Sequence, residues 1–144
     1  MFAPSLLGNA SQALKFVEGN AQDLKFPDNS FDVYTITFGL RNVTDAHLAL
    51  REAHCVLKPG GRYLCLEFSK LPSPIFQQVN DIIPVLGELV TNDRASYQYL
   101  VESIRKFSDQ EELKQRMELA GMEQVSYENL SGGIVAIHQG WKAL

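Results

Sequence analysis

The sequence predicts an α/β fold, and three observations carry that prediction. Residues 31–38, FDVYTITF, interleave Val33, Tyr34, Ile36 and Phe38 with Thr35 and Thr37, residue types that favour strands. Apolar side chains at both parities suit a strand covered on both faces, as in a parallel sheet. Residues 62–68, RYLCLEF, read as a second apolar strand. Between the two, Ala46, Ala49, Leu50, Ala53, Val56 and Leu57 recur at three- and four-residue spacing, the pattern of an amphipathic helix. Together they make one β–α–β unit.

Taken in order, residues 1–13 mix Pro, Gly, Asn and Ser without a period and read as loop or disordered chain. Residues 14–18, LKFVE, read as a short strand with 19–22 as its exit loop, and Pro27-Asp28-Asn29-Ser30 as a turn. Strand 31–38 is broken by Gly39, which sets Arg41 and Asn42 just past its carboxyl end, the edge where open α/β sheets bind ligands. Thr44 or Asp45 can cap the helix, which runs to about residue 57. Lys58-Pro59-Gly60-Gly61 stops it and turns the chain into strand 62–68. Leu71-Pro72-Ser73-Pro74 is a breaker cluster, and 75–89 is a weaker helical region interrupted by Pro84 and Gly87. Helix 96–104 carries Tyr97, Leu100, Val101 and Ile104 on one face. Ser108 with Glu111 forms a capping-box pattern for a helix reaching Ala120, with Gly121 placed to end it. Two strands, 123–130 and 133–140, follow, joined by Ser131-Gly132.

A chain of 144 residues is one domain by length. Its 45% apolar and 21% charged residues are ordinary for a globular protein. Thirteen basic and 17 acidic residues, net charge −4, lie interspersed, which argues against a broad phosphate-binding surface. No apolar run approaches the ~20 residues of a membrane span. The opening residues MFAPSLLGNAS carry no positive charge and match neither a signal nor a transit peptide. Cys55 and Cys65 fall on a helix and a strand and read as reduced thiols. His47 and His54 share a helix face, but no further Cys or His cluster completes a metal site, so no structural zinc is expected. No Ser/His/Asp nucleophile pattern or P-loop is visible.

The stretches FDVYTITFGLRNVTD, LKPGGRYLCLEFS, YQYLVESIRKF and GGIVAIHQGWK resemble the S-adenosylmethionine-dependent C-methyltransferases of ubiquinone and menaquinone biosynthesis, the UbiE type, over residues 14–142. LCLEF and IVAIHQG are similar to the mitochondrial, benzoquinol-methylating branch. The resemblance implies a partial Rossmann-like class I methyltransferase domain lacking its first two strands, with an antiparallel C-terminal strand. Residues 14–144 would be the C-terminal part of that domain. The strands 31–38 and 62–68 and the last two should then form one sheet, with 31–38 at an unprotected edge. The chain departs from these relatives between Asp81 and Ile82, where they carry a few more residues.

The implied activity is methyl transfer from S-adenosylmethionine to a ring carbon of a polyprenyl benzoquinol. The implied setting is the matrix side of the mitochondrial inner membrane, with peripheral membrane association, a quinone-biosynthesis complex or a homo-oligomer as partners. The family's glycine-rich first turn and acidic ribose-holding residue have no counterpart here, so the rival reading is a non-catalytic module that associates with quinone-biosynthesis proteins. Carried over by position, Asn20 and Ala21 flank the adenine and Thr37 lies beside the cofactor. Arg41 is the expected catalytic residue: methylating a quinol carbon requires loss of a phenolic proton, and a guanidinium stabilises the phenolate. Arginine, with a pKa above about 12, is itself a poor base. Asn42 would hold Arg41 or the substrate oxygen. Glu67, Tyr97, Tyr99, Arg105 and His138 are further polar candidates whose roles divide between structure and site.

Overall fold

The computed structural model describes residues 14–70 and 94–144. Four strands form one sheet: β1 (Phe31–Thr37), β2 (Leu57–Phe68), β3 (Met122–Leu130) and β4 (Val135–Lys142). Their order is β1-β2-β4-β3. β1 lies parallel to β2, with Ile36 opposite Cys65. β4 runs antiparallel to both β2 and β3, with His138 opposite Cys65 on one side and Tyr127 on the other. The four expected strands therefore pair as the family resemblance implied, and β1 is an edge.

Helix α1 (Ala46–Val56) is capped by Asp45, whose side chain accepts from the Leu48 amide at 3.0 Å. Ala49, Leu50, Ala53 and Val56 are its buried face. Helix α2 (Arg94–Lys106) presents Val101 and Ile104 inward, and α3 (Gln110–Leu119) presents Leu113 and Met117. Ala49, Leu50 and Ala53 of α1 and Leu113 and Met117 of α3 meet Tyr63 and Cys65 of β2 and Met122 and Val125 of β3 in a single core on one face of the sheet. Gly140 is needed here: a Cβ on it would sit 3.2 Å from both Met122 and Val125.

Several expectations are corrected. Residues 14–18 form no strand and lie exposed, and the only pairing nearby is an isolated bridge between Asn20 and Asp23. A strand requires a ladder partner, and no strand of this sheet lies beside them. β1 is not covered on both faces. Tyr34 and Ile36 pack against the core, whereas Val33 is 52% exposed and Phe31 and Phe38 are also open. The Lys58–Gly61 turn is a bulge inside β2, where the register jumps from Phe31 opposite Leu57 to Val33 opposite Arg62. The cap of α3 is Asp109, accepting from the Glu112 amide at 2.8 Å, not Ser108. The helix begins one residue later because Phe107 and Ser108 are drawn into the interior. β3 and β4 are joined by a 3₁₀ turn, Ser131–Gly133, one residue longer than expected, with all three residues at positive φ. The helical region expected at 75–89, the Asp81–Ile82 departure and the loop at 1–13 lie outside the described residues.

Candidate functional site

The polar groups gather where β1 ends. Phe38 adopts φ 51, a left-handed conformation that a phenylalanine holds only when its surroundings fix it. Its amide still donates to Leu66 at 2.9 Å, and its ring lies 4.7 Å from that of Phe68. The reversal aims the Phe38 carbonyl at the following 3₁₀ turn, Leu40–Asn42, where it accepts from Nη1 of Arg41 at 2.8 Å and from Nδ2 of Asn42 at 3.4 Å. Leu40, 1% exposed, anchors this turn in the core.

Arg41 is gripped from three elements. Nη1 also donates to Oε2 of Glu67 on β2 at 3.0 Å, and the pair is buried, with the Glu67 side chain 1% exposed. Nε donates to Oγ of Ser103 on α2 at 3.3 Å. The guanidinium carbon stands 5.3 Å from the Phe68 ring centre. Glu67 accepts as well from the backbone amides of Arg41 and Phe68, at 3.3 and 3.1 Å. A buried carboxylate is tolerated only when paired and hydrogen-bonded, and three donors meet that need here. The Arg41 side chain is 9% exposed, and among the described residues no hydrogen bond is made by Nη2. Arg41 lines a cavity of about 320 Å³ with Thr44, Tyr99, Ser103, Lys106 and Ser108. Tyr99 closes the arrangement by donating from its hydroxyl to Oδ1 of Asn42 at 3.1 Å.

Arg41 and Asn42 are therefore brought together, and the other candidates stand apart from them. Thr37 opens instead onto a cavity of about 620 Å³ on the uncovered face of the sheet, with Leu66, Ile137 and Gln139. Asn20 and Ala21 belong to a tight turn in which the Asn20 side chain accepts from the Gln22 amide at 3.0 Å. That turn is tied to the start of α1, because Gln22 accepts from the Asp45 amide and Glu52 from the Leu24 amide. Glu67, Asp45 and Glu52 are each engaged within the fold, Glu67 by Arg41, Asp45 by the Leu48 amide and Glu52 by the Leu24 amide.

The remaining buried groups are quiet chemically. Burial, with Glu67 nearby, pushes the Cys65 thiol up to about 12, and burial raises the Tyr63 hydroxyl well above its ordinary value. Cys55 and Cys65 are both free. His138, 1% exposed, has its Nε2 2.9 Å from the Gln110 carbonyl while its Nδ1 has no partner among the described residues; burial lowers its pKa. No group of three metal-ligating side chains occurs among the described residues. Tyr97 is half-buried and Arg105 exposed on α2. Ser103 is the residue that sequence reasoning missed, although it lies four positions beyond Tyr99 and so on the same helix face.

Comparisons with known proteins show the family and the fold. The model of the ubiE/COQ5 methyltransferase family matches residues 5–142. Over 134 residues the chain is 58% identical to the mitochondrial 2-methoxy-6-polyprenyl-1,4-benzoquinol methylase of Bos taurus, covering 90% of this chain and 41% of that protein. Over 134 residues it is 56% identical to the ubiquinone/menaquinone biosynthesis C-methyltransferase UbiE of Brucella suis, covering 90% of this chain and 50% of that one. It therefore spans half or less of the length of these relatives. Among solved structures, a methyltransferase of Thermotoga maritima superposes with a TM-score of 0.66 at 23% identity, covering 88% of this chain and 63% of the other, a likeness of fold.

Proposed function

The chain belongs to the ubiE/COQ5 methyltransferase family, and on that premise we propose that it supplies the acceptor-binding part of an S-adenosylmethionine-dependent C-methyltransferase acting on a polyprenyl benzoquinol. The observation that carries this reading is Arg41, half-buried and held through Nε and Nη1 by Glu67, Phe38 and Ser103 at the carboxyl edge of the sheet. The names of the relatives supply the substrate class and, for the Bos taurus protein, the mitochondrion. Placement on the matrix side of the inner membrane is part of the same proposal.

The cofactor, when bound, supplies an electrophilic methyl group. The ring carbon attacks well only when the neighbouring phenol has shed its proton. A guanidinium has donors and no acceptor, so Arg41 does not take that proton. Its role is to stabilise the phenolate oxygen through the Nη2 donors, leaving the proton to water. Asn42, fixed between the Phe38 carbonyl and the Tyr99 hydroxyl, holds the turn that carries Arg41. Asn20 and Ala21 would stand by the adenine, and Thr37 beside the cofactor on the opposite face of the sheet.

The test uses a protein of the relatives' full length that contains these residues. It should methylate a short-chain benzoquinol, and Arg41→Ala should lower kcat on the order of a hundredfold or more while cofactor binding holds, with a lowered melting temperature because the buried Glu67 loses its charged partner. A full-length protein that transfers no methyl group to the quinol, or an Arg41→Ala variant with unimpaired kcat, sinks the reading.

A further inference from the structure

Arg41 and Asn42 are carried by a turn that does little to hold itself. Leu40–Asn42 is a single 3₁₀ turn whose start has no side-chain cap. Its backbone bonds, from the Asn42 amide to the Gly39 carbonyl and from the Val43 amide to the Leu40 carbonyl, measure 3.1 and 3.3 Å. The 3₁₀ form bonds with poorer geometry than an α-helix. The buried Leu40 anchors the turn, but an apolar contact gives no direction to the two side chains that follow.

Helix α2 supplies that direction. Tyr99 and Ser103 are four residues apart and so share one helix face. They meet consecutive residues of the turn. The Tyr99 hydroxyl donates to Oδ1 of Asn42 at 3.1 Å, and Oγ of Ser103 accepts from Nε of Arg41 at 3.3 Å. A serine hydroxyl has one proton, and here it is directed to the Leu100 carbonyl at 2.8 Å. The lone pairs of Ser103 are therefore what faces the guanidinium, which only donates. Asn42 is fixed in the same manner, with Nδ2 on the Phe38 carbonyl and Oδ1 turned to Tyr99. The Phe38 carbonyl and Glu67 both engage Nη1 of Arg41. Contacts at one nitrogen leave the guanidinium plane free to pivot there, and Ser103, at Nε, adds the second point that stops it.

We infer that Ser103 and Tyr99 are positioning residues for the methyl transfer: from one face of α2 they hold Arg41 and Asn42 in the orientation the reaction needs, and they act through that turn alone. This deepens the proposed function and rests on it. Ser103 is the stronger of the two because its partner is charged.

The test uses a protein of the relatives' full length, with a short-chain benzoquinol and S-adenosylmethionine as substrates. Ser103→Ala should lower kcat about tenfold and leave the KM for the quinol and the calorimetric binding of the cofactor unchanged. Ser103→Thr keeps a hydroxyl able to bond back to its own helix and should recover most of the rate. Tyr99→Phe keeps the ring and should lower kcat about threefold. In an Arg41→Ala background Ser103→Ala should bring no further loss, because the group it acts through is gone. If Ser103→Ala does not fold, Tyr99→Phe decides in its place: it removes one hydroxyl from a residue 58% exposed, and its effect should vanish in an Asn42→Ala background.

A merely structural Ser103 would lower the melting temperature and bring the same loss with and without Arg41; that result overturns the inference. So does a Ser103→Ala enzyme at the wild-type rate, or a Ser103→Thr enzyme as slow as Ser103→Ala. Wild type that turns over and is impaired by Arg41→Ala, but not by Ser103→Ala or Tyr99→Phe, overturns the inference alone. Wild type without quinol turnover overturns the functional reading and the inference with it.

Discussion

At the scale of single residues, the site is a set of engagements between groups far apart in the chain. Arg41 could be picked out because it stands directly after a strand, and strand ends are legible in β-branched and aromatic runs. Its partners could not: Glu67 and Ser103 lie 26 and 62 positions away, and nothing in local pattern pairs them with it. His138 shows the same limit. The sequence places it on a strand, but only the packing against α3 shows that Nδ1 is shut in without a partner among the described residues. This has a consequence for acid stability. Burial lowers the His138 pKa in the folded protein, and the half-buried His54 is lowered too, by burial and by Lys142. The unfolded chain, titrating near the ordinary value of about 6.5, therefore binds more protons than the native state between the two values. Stability is full above pH ~6.5 and declines as the pH falls from there toward the folded pKa. The urea midpoint should drop between pH 7.5 and pH 5.5. His138→Gln keeps a donor for the Gln110 carbonyl and removes one titration, so it should flatten that drop. An unchanged slope in the variant would show that His138 bears no part of it.

At the scale of elements, the helices were the most readable part. The three- and four-residue spacing of Ala46, Ala49, Leu50, Ala53 and Val56 is the buried face of α1, and one turn of sequence suffices to see it. The strands were readable in their existence and pairing and less so in their ends. The Lys58-Pro59-Gly60-Gly61 stretch was legible as a turn, yet the structure keeps it within β2 as a bulge between two registers of pairing with β1. The reason is geometric. Gly60 holds φ +74, and a Cβ on Gly61 would approach the Lys58 carbonyl to 2.7 Å, closer than real Cβ atoms come. Backbone, unlike a flexible side chain, cannot step aside. Gly61→Ala should therefore cost on the order of 1–3 kcal/mol, visible as a lowered urea midpoint with little change in slope. Gly132→Ala makes the useful contrast. Unlike Gly61 it sits at positive φ, and a Cβ there meets nothing within 4 Å, so its cost should be that of the backbone conformation alone, about 1–2 kcal/mol. A Gly61→Ala variant as stable as the parent would remove the steric argument.

At the scale of the whole molecule, the described residues make a sheet with helices on one face and an open edge. The alternation within β1 was read as a strand covered on both sides, and the reading erred for a definite reason. Apolar residues at both parities record every surface the strand meets in its working state, while the covering shown by the described residues reaches only Tyr34 and Ile36. Val33, Phe31 and Phe38 remain open on the edge strand, and Phe26 stacks edge-on against Phe31 at 5.1 Å without closing it. A cleft of about 280 Å³ lined by Leu24, Phe26, Phe31 and Val33 runs beside them. Such an edge presents unpaired backbone groups next to apolar side chains, the combination that recruits another strand. The Asp32–Lys58 ion pair offers little defence, since its aspartate side chain is 81% exposed and exposed pairs contribute at most about 1 kcal/mol. A polypeptide of these 144 residues alone is accordingly expected to self-associate at micromolar concentration. Sedimentation velocity should show species larger than a monomer, growing with concentration. Val33→Lys sets a charge on the open face of the edge without touching the core, and should shift the distribution back toward monomer while leaving the circular dichroism unchanged. A sharp, concentration-independent melt of a monomer, or association that Val33→Lys leaves untouched, would show that β1 is not the surface that drives it.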